Sequence, residues 1–231
     1  MMQPYINHSW TLNEAEALLL QKELSSKVIR EDQLGQINLI AGVDVAYSKE
    51  GNQLVAAVVM IDANTLNIVE TVTINDHEQF PYIPGLFSFR ELPPLIKAFE
   101  QLSHVPDLVV CDGQGYAHPR RFGLACHLGV LFDVPTIGCG KTRLLGDESE
   151  PDKTRGSQTP LIDQDEVIGA ALRTQTNVKP IYVSIGHRIS LNTACQWILK
   201  LSPKYRLPET TRFADQTVKR ALKTLTLSES N

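Results

Sequence analysis

Asp44 sits inside an otherwise apolar run, LIAGVDVAY (39–47). If that run is a strand, alternation sends Leu39, Ala41, Val43, Val45 and Tyr47 to one face and Ile40, Gly42, Asp44 and Ala46 to the other. Burying a carboxylate there is costly unless a cation or a metal meets it, and the small neighbours leave room for a bulky ligand. On this strand alone, an aspartate paired with arginine or capping a turn reads equally well. A second acid, Asp112, follows the apolar stretch Leu108–Cys111 and precedes Gly113. Ligands collect beyond the carboxyl ends of parallel strands, and Gly113 and Gly115 allow close backbone approach; an ordinary Asp-Gly turn is the alternative. If the two strands are parallel neighbours, Asp44 and Asp112 lie close together and repel unless a divalent cation holds them. With no His or Cys cluster nearby, the all-oxygen set points to Mg²⁺ or Mn²⁺. Glu91, before Pro93-Pro94, is expected at a helix start or in its first turn. Asp215, beside Phe213 and Ala214, is expected on the last helix. Alone, each of these two reads as a surface acid.

The elements that must position these acids follow from periodicity and turn residues. Asn13 caps a helix reaching about Arg30. Three strands follow, Leu39–Tyr47, Leu54–Ile61 and Asn67–Ile74, joined by Lys49-Glu50-Gly51-Asn52 and Asp62-Ala63-Asn64. Joins this short imply antiparallel neighbours. A helix runs through Leu92, Leu95, Ile96, Phe99 and Leu102, then come the strand Leu108–Cys111, a helix over Phe122–Phe132 and a strand at Val134–Ile137. Gly146 to Gln158 reads as a surface loop, Glu166–Arg173 and Ile181–Ile185 as a strand pair, and Leu191–Leu201 and Glu209–Leu225 as helices. Three antiparallel strands followed by helix–strand–helix–strand predict an α/β fold, a mixed sheet flanked by helices. No linker divides the chain, so 1–231 reads as one domain with a core of about 13–225 and a disordered tail over 226–231.

Composition removes several classes. With 231 residues, 42% hydrophobic and 21% charged, the chain has enough material for a substantial core and is neither disordered nor fibrous. The longest apolar run, Leu54–Ile61, falls far short of the roughly 18 residues of a membrane span. The N-terminus lacks the pattern of a secretory signal, which gives a cytoplasmic expectation and no membrane partner. Cys111, Cys126, Cys139 and Cys195 lack the spacing of a zinc site or a redox dithiol. The segment Gly138-Cys139-Gly140-Lys141-Thr142 ends like a phosphate-binding loop, but its first glycine would be residue 135, which is Pro135. A nucleotide cofactor is therefore not expected. The net charge of −4 conceals an asymmetry: residues 179–231 carry nine Lys/Arg against three acids. One face could hold phosphates and another cations, although solvated helix faces explain the same numbers.

Four ordered segments, GVDVAY (42–47), PYIPGLFSFRE (81–91), CDGQGYAHPRRFGLACHLG (111–129) and LPETTRFADQ (207–216), resemble the endonuclease V family over about Leu39 to Lys223. The resemblance implies a ribonuclease H-like fold and hydrolysis of DNA at deoxyinosine, the deamination product of adenine. The implied cut lies at the second phosphodiester bond 3′ of the lesion, leaving 3′-hydroxyl and 5′-phosphate ends, as by a metal-dependent deoxyribonuclease V. It assigns Asp44, Glu91, Asp112 and Asp215 to the metal site, with Mg²⁺ (or Mn²⁺) as cofactor, and places Lys141 near the active site, to orient water or to neutralise the phosphate. It makes Pro81, Tyr82 and Ile83 a wedge that fills the gap left by an extruded base, with Gly85, Gly113 and Gly123 lining the base pocket. His118, Arg120 and Arg121 become candidates for phosphate contact. Inosine-containing RNA is the alternative substrate, and a non-catalytic binder the more distant one. Two departures stand out: Gln114, where many members carry His or Asn, and Gly138-Cys139-Gly140 in place of the more usual Val-Ala before Lys141.

Overall fold

In the computed structural model, which describes residues 2–49 and 52–229, β1 (Leu39–Tyr47) is the strand on which the site is organised. It pairs antiparallel with β2 (Gln53–Asp62), which pairs antiparallel with β3 (Ile68–His77). The turn expected at 49–52 falls partly on Glu50 and Gly51, outside the described residues. On its other edge β1 pairs in parallel with β4 (Leu108–Cys111), and β4 in parallel with β5 (Thr136–Gly140). The parallel joins need crossovers, supplied by α2 (Phe87–Glu100) and α3 (Leu124–Phe132). Beyond β5 the sheet returns to antiparallel pairing through β8 (Ile181–His187), β7 (Glu166–Leu172) and β6 (Gln158–Asp163), giving the order β3-β2-β1-β4-β5-β8-β7-β6. The mixed, helix-flanked sheet agrees with the sequence expectation.

Helices cover both faces. Ala41, Val43 and Val45 of β1 pack with Leu92, Leu95, Leu128 and Phe132 of α2 and α3. On the opposite face Ile40 and Val110 meet Ala194 and Ile198 of α4 (Leu191–Leu201) and Ala214 of α5 (Glu209–Glu229). α5 then continues over β2, where Val218 packs on Val55 and Ala57. The space that Gly42 leaves is already filled: a Cβ there would lie 2.2 Å from the Thr210 carbonyl oxygen. The small residues beside Asp44 thus admit the first turn of α5, which corrects the expectation of room for a bulky ligand.

Other boundaries differ for local reasons. α1 (Glu14–Ser25) starts with the expected Asn13 cap but stops five residues before Arg30. The Ser25 and Ser26 hydroxyls donate to the Lys22 and Glu23 carbonyls and compete with the helix ladder. Glu91 is not in the first turn of α2 but in its second, with Pro93 and Pro94 inside the helix. β5 extends over Gly138–Gly140, where a Cβ on Gly138 would sit 2.3 Å from the Gly115 nitrogen. The unpredicted strand β6 carries Pro160, which an edge strand tolerates. α5 runs to Glu229, past the expected end at Leu225, and residues 230 and 231 lie outside the described residues.

Candidate active site

Parallel pairing of Val43 with Cys111 places the next residue of each strand side by side, so Asp44 and Asp112 stand together at the carboxyl end of β4. Glu91 approaches from α2 and Asp215 from α5, on opposite sides of the sheet. The electrostatics join all four. Burial, then the Asp112 carboxylate and more weakly Asp215, push Asp44 up to about 7, while the Val45 N–H and Lys141 pull it down. Glu91, only 4% exposed, is held well above its ordinary value by burial first and by Asp44 and Asp112 next. The Tyr47 hydroxyl donates to its Oε1 at 3.4 Å. Lys141 lies 2.5 Å from the Asp112 Oδ2, and Asp215 pairs with Lys219 at 2.8 Å.

These groups suit a hard divalent cation by chemistry. All donors are oxygen, and burial together with their mutual repulsion raises Asp44 and Glu91, a cost of charge that a bound cation would offset. Among the described residues, no three His, Cys, Asp or Glu side chains are yet gathered closely enough to hold an ion. Lys141 instead takes one Asp112 oxygen.

Beside the acids lies a cavity of about 390 Å³ whose walls include Tyr82, Ile83, Phe87, Asp112, Gly113 and Lys141. Gly85, His118 and Gly123 also line it. Pro84 and Gly85 form a turn closed by the Leu86 N–H on the Ile83 carbonyl, with Gly85 at φ +81°, a value that favours glycine. Tyr82 projects from this loop 68% exposed, and Pro81 is also exposed. The loop is fastened from below. The Gly85 carbonyl accepts from Gln21 Nε2 (2.9 Å), His118 Nε2 (3.1 Å) and Arg120 Nη2 (2.7 Å), and Arg120 Nε also bonds Gln21.

The expected phosphate contacts therefore separate. His118 is buried with both ring nitrogens engaged, and burial with nearby Arg120 lowers it to about 4, so it is neutral. Arg120 sits beneath the loop of Pro81–Gly85, and Arg121 turns to Asp163 (2.8 Å) and Glu166 (2.9 Å) of the β6–β7 hairpin. Sequence reasoning missed Gln21 and Arg206. Arg206 donates to the carbonyls of Lys141 (2.6 Å), Lys179 and Pro180 and fixes the strand end that carries Lys141. Both act on backbone groups remote in sequence, which no local pattern announces.

The endonuclease V family profile matches residues 22–216. The chain belongs to the endonuclease V family. An endonuclease V from Trichormus variabilis is 50% identical over 216 residues, covering 93% of this chain and 98% of that protein. The crystal structure of an endonuclease V from Streptomyces avermitilis superposes with a TM-score of 0.91 at 48% identity, covering 96% of this chain and 98% of that one. At 29% identity and TM-score 0.80, the Ciona intestinalis endonuclease V was crystallised with a 24-mer DNA containing an inosine followed by a ribo-adenosine, covering 91% and 98% of the two chains. Asp112 and Lys141, paired with each other, both line the cavity, so the cavity adjoins the acids through Asp112.

Within the described residues no helix is long and apolar enough to cross a membrane, and all four cysteines are buried and free.

Proposed function

We propose that this protein nicks DNA at the second phosphodiester bond 3′ to deoxyinosine, leaving 3′-hydroxyl and 5′-phosphate ends. The observation that carries the reading is the β1–β4 register, which sets Asp44 beside Asp112 within the field of Glu91 and Asp215. A cluster of acids facing a phosphate is unfavourable for a pure binder, whereas a hydrolase needs it to gather cations. Asp44, Glu91, Asp112 and Asp215 would hold Mg²⁺ or Mn²⁺. A divalent ion held there would supply Lewis acidity for activating water and for neutralising charge on the phosphate and the leaving 3′ oxygen. Lys141, paired with Asp112 and lining the cavity, orients the phosphate. Tyr82, exposed on a loop stiffened by Pro81 and Pro84, fills the stack as the lesion base enters the cavity.

A labelled duplex with one inosine, treated with protein and Mg²⁺ and resolved on a denaturing gel, tests this. A single nick one nucleotide 3′ of inosine, absent with chelator, is expected, and Asp44→Ala or Asp112→Ala should abolish it. Binding without scission under either metal would indicate a non-catalytic binder. The ribo-adenosine in the Ciona complex supports inosine-containing RNA as the second reading of the substrate. Competition between matched DNA and RNA strands reports the preference.

A further inference from the structure

Ser88, the second residue of α2, lines the cavity and is 2% exposed. Its hydroxyl begins a chain of hydrogen bonds leading away from the cavity. Ser88 Oγ lies 2.9 Å from His127 Nδ1, His127 Nε2 lies 2.9 Å from His8 Nε2, and His8 Nδ1 lies 2.8 Å from the Ser9 carbonyl. The rings of Trp10, Phe89 and Phe122 surround His127. Burial lowers both imidazoles, His127 well below its ordinary value with His8 adding to the effect, so both are neutral with one N–H each.

The far end of the chain then fixes its direction. A carbonyl oxygen only accepts, so the hydrogen of His8 is on Nδ1 and its Nε2 is bare. His127 must therefore donate from Nε2, which leaves its own Nδ1 bare. Ser88 must donate to that nitrogen. The hydroxyl proton is committed to the protein interior, and only oxygen lone pairs remain for the cavity.

We infer that Ser88 Oγ is an acceptor-only contact for the base lodged in the cavity, selecting a purine that carries a ring N–H over one with a bare ring nitrogen. Hypoxanthine has that N–H and adenine does not, so the inference rests on the reading of the cavity as the inosine-base site. A bare nitrogen placed there opposes two acceptors and leaves both unpaired. A freely rotating serine would serve either base. His127 and His8 remove that freedom as positioning residues, without touching the base.

The test uses three duplexes that differ in one base: inosine, its 1-deaza analogue (N–H replaced by C–H) and adenine. Binding is followed by fluorescence anisotropy alongside kcat/KM for nicking. Wild type should prefer inosine over the 1-deaza analogue by about tenfold. Ser88→Ala, checked for native circular dichroism, should weaken inosine binding and bring that ratio close to one. His8→Ala, at the half-buried outer end of the chain, frees the tautomers and should raise adenine binding while inosine binding holds. A wild type that does not separate inosine from adenine would sink the functional reading itself. If wild type separates them but Ser88→Ala keeps the inosine-to-deaza ratio, the Ser88 inference fails and the function stands. Unchanged adenine binding in His8→Ala would overturn the positioning role.

Discussion

Among single residues, Asp44 carries the clearest energetic signature. Its folded value of about 7 lies above the ordinary 3.8 because burial and Asp112 disfavour the charge. Between those values the folded state binds a proton that the unfolded state has lost, so this residue's contribution to stability declines as pH rises from about 4 to 7. Glu91, raised by burial first and then by Asp44 and Asp112, acts with the same sign. Carboxylates with lowered values, such as Asp32, Asp62, Glu70 and Glu166, contribute in the opposite direction but are common to wild type and variant. In the metal-free protein, Asp44→Asn should thus raise the melting temperature at pH 8 and change it little at pH 4. Mg²⁺ should stabilise wild type at pH 8 more than the variant. A variant less stable than wild type at pH 8 would show that Asp44 is a structural partner and not an unpaired charge. Asp44 stood out in the sequence because an aspartate in an apolar strand violates the alternation around it, whereas Glu91 and Asp215 joined it only through the family resemblance. Ser88 and His127 did not stand out, because His127 meets His8 across 119 positions and reads as one more residue of an apolar helix.

At the level of elements, the approach of α5 to β1 decides whether Asp215 reaches Asp44. The contact is backbone against backbone: a Cβ on Gly42 would lie 2.2 Å from the Thr210 oxygen and 2.4 Å from its carbonyl carbon. No side chain there is free to swing aside. Gly42→Ala should force the first turn of α5 away, cost about 1–3 kcal/mol in urea unfolding and reduce nicking by more than the lost folded fraction explains. Gly35→Ala, with nothing within 4 Å of its added Cβ, should be neutral in both assays. Equal loss in activity and stability for Gly42→Ala would mean that α5 carries no catalytic geometry. Strands β1 to β4 were readable because their apolar runs are bounded by turn residues. β6 was not, for two reasons. Pro160 argues against a strand, and the hairpin turn places Gln164 and Asp165 at φ +50° and +64° without the Asn-Gly or Asp-Gly pair that usually marks such a turn.

Across the whole molecule, the acidic total charge must be reconciled with a polyanionic substrate, and the distribution does so. Part of the basic excess of residues 179–231, namely Arg206, Arg212 and Lys219, lies beside Asp215. A second cavity, about 400 Å³ and lined by Lys141, Tyr205, Arg206, Arg212, Asp215 and Lys219, shares Lys141 with the first. Most of these cations have structural duties: Arg206 holds backbone carbonyls, Arg212 stacks on Tyr205 at 3.5 Å and bonds Glu209, and Lys219 pairs with Asp215. Lys204 is exposed beside the same ring, 5.6 Å from its centre, where its charge is accessible to a phosphate along the groove. A phosphate contact contributes affinity without base information and releases counterions. Lys204→Ala should therefore weaken inosine and adenine duplexes by the same factor. It should also make the slope of log K against log salt shallower by about 0.9, leaving the inosine-to-adenine ratio unchanged. Ser88→Ala should do the reverse, changing the ratio at constant slope. Titrations of both variants at four salt concentrations separate the two effects. A Lys204→Ala protein with wild-type slope would place the backbone path elsewhere on the surface, away from the groove between Lys141 and α5.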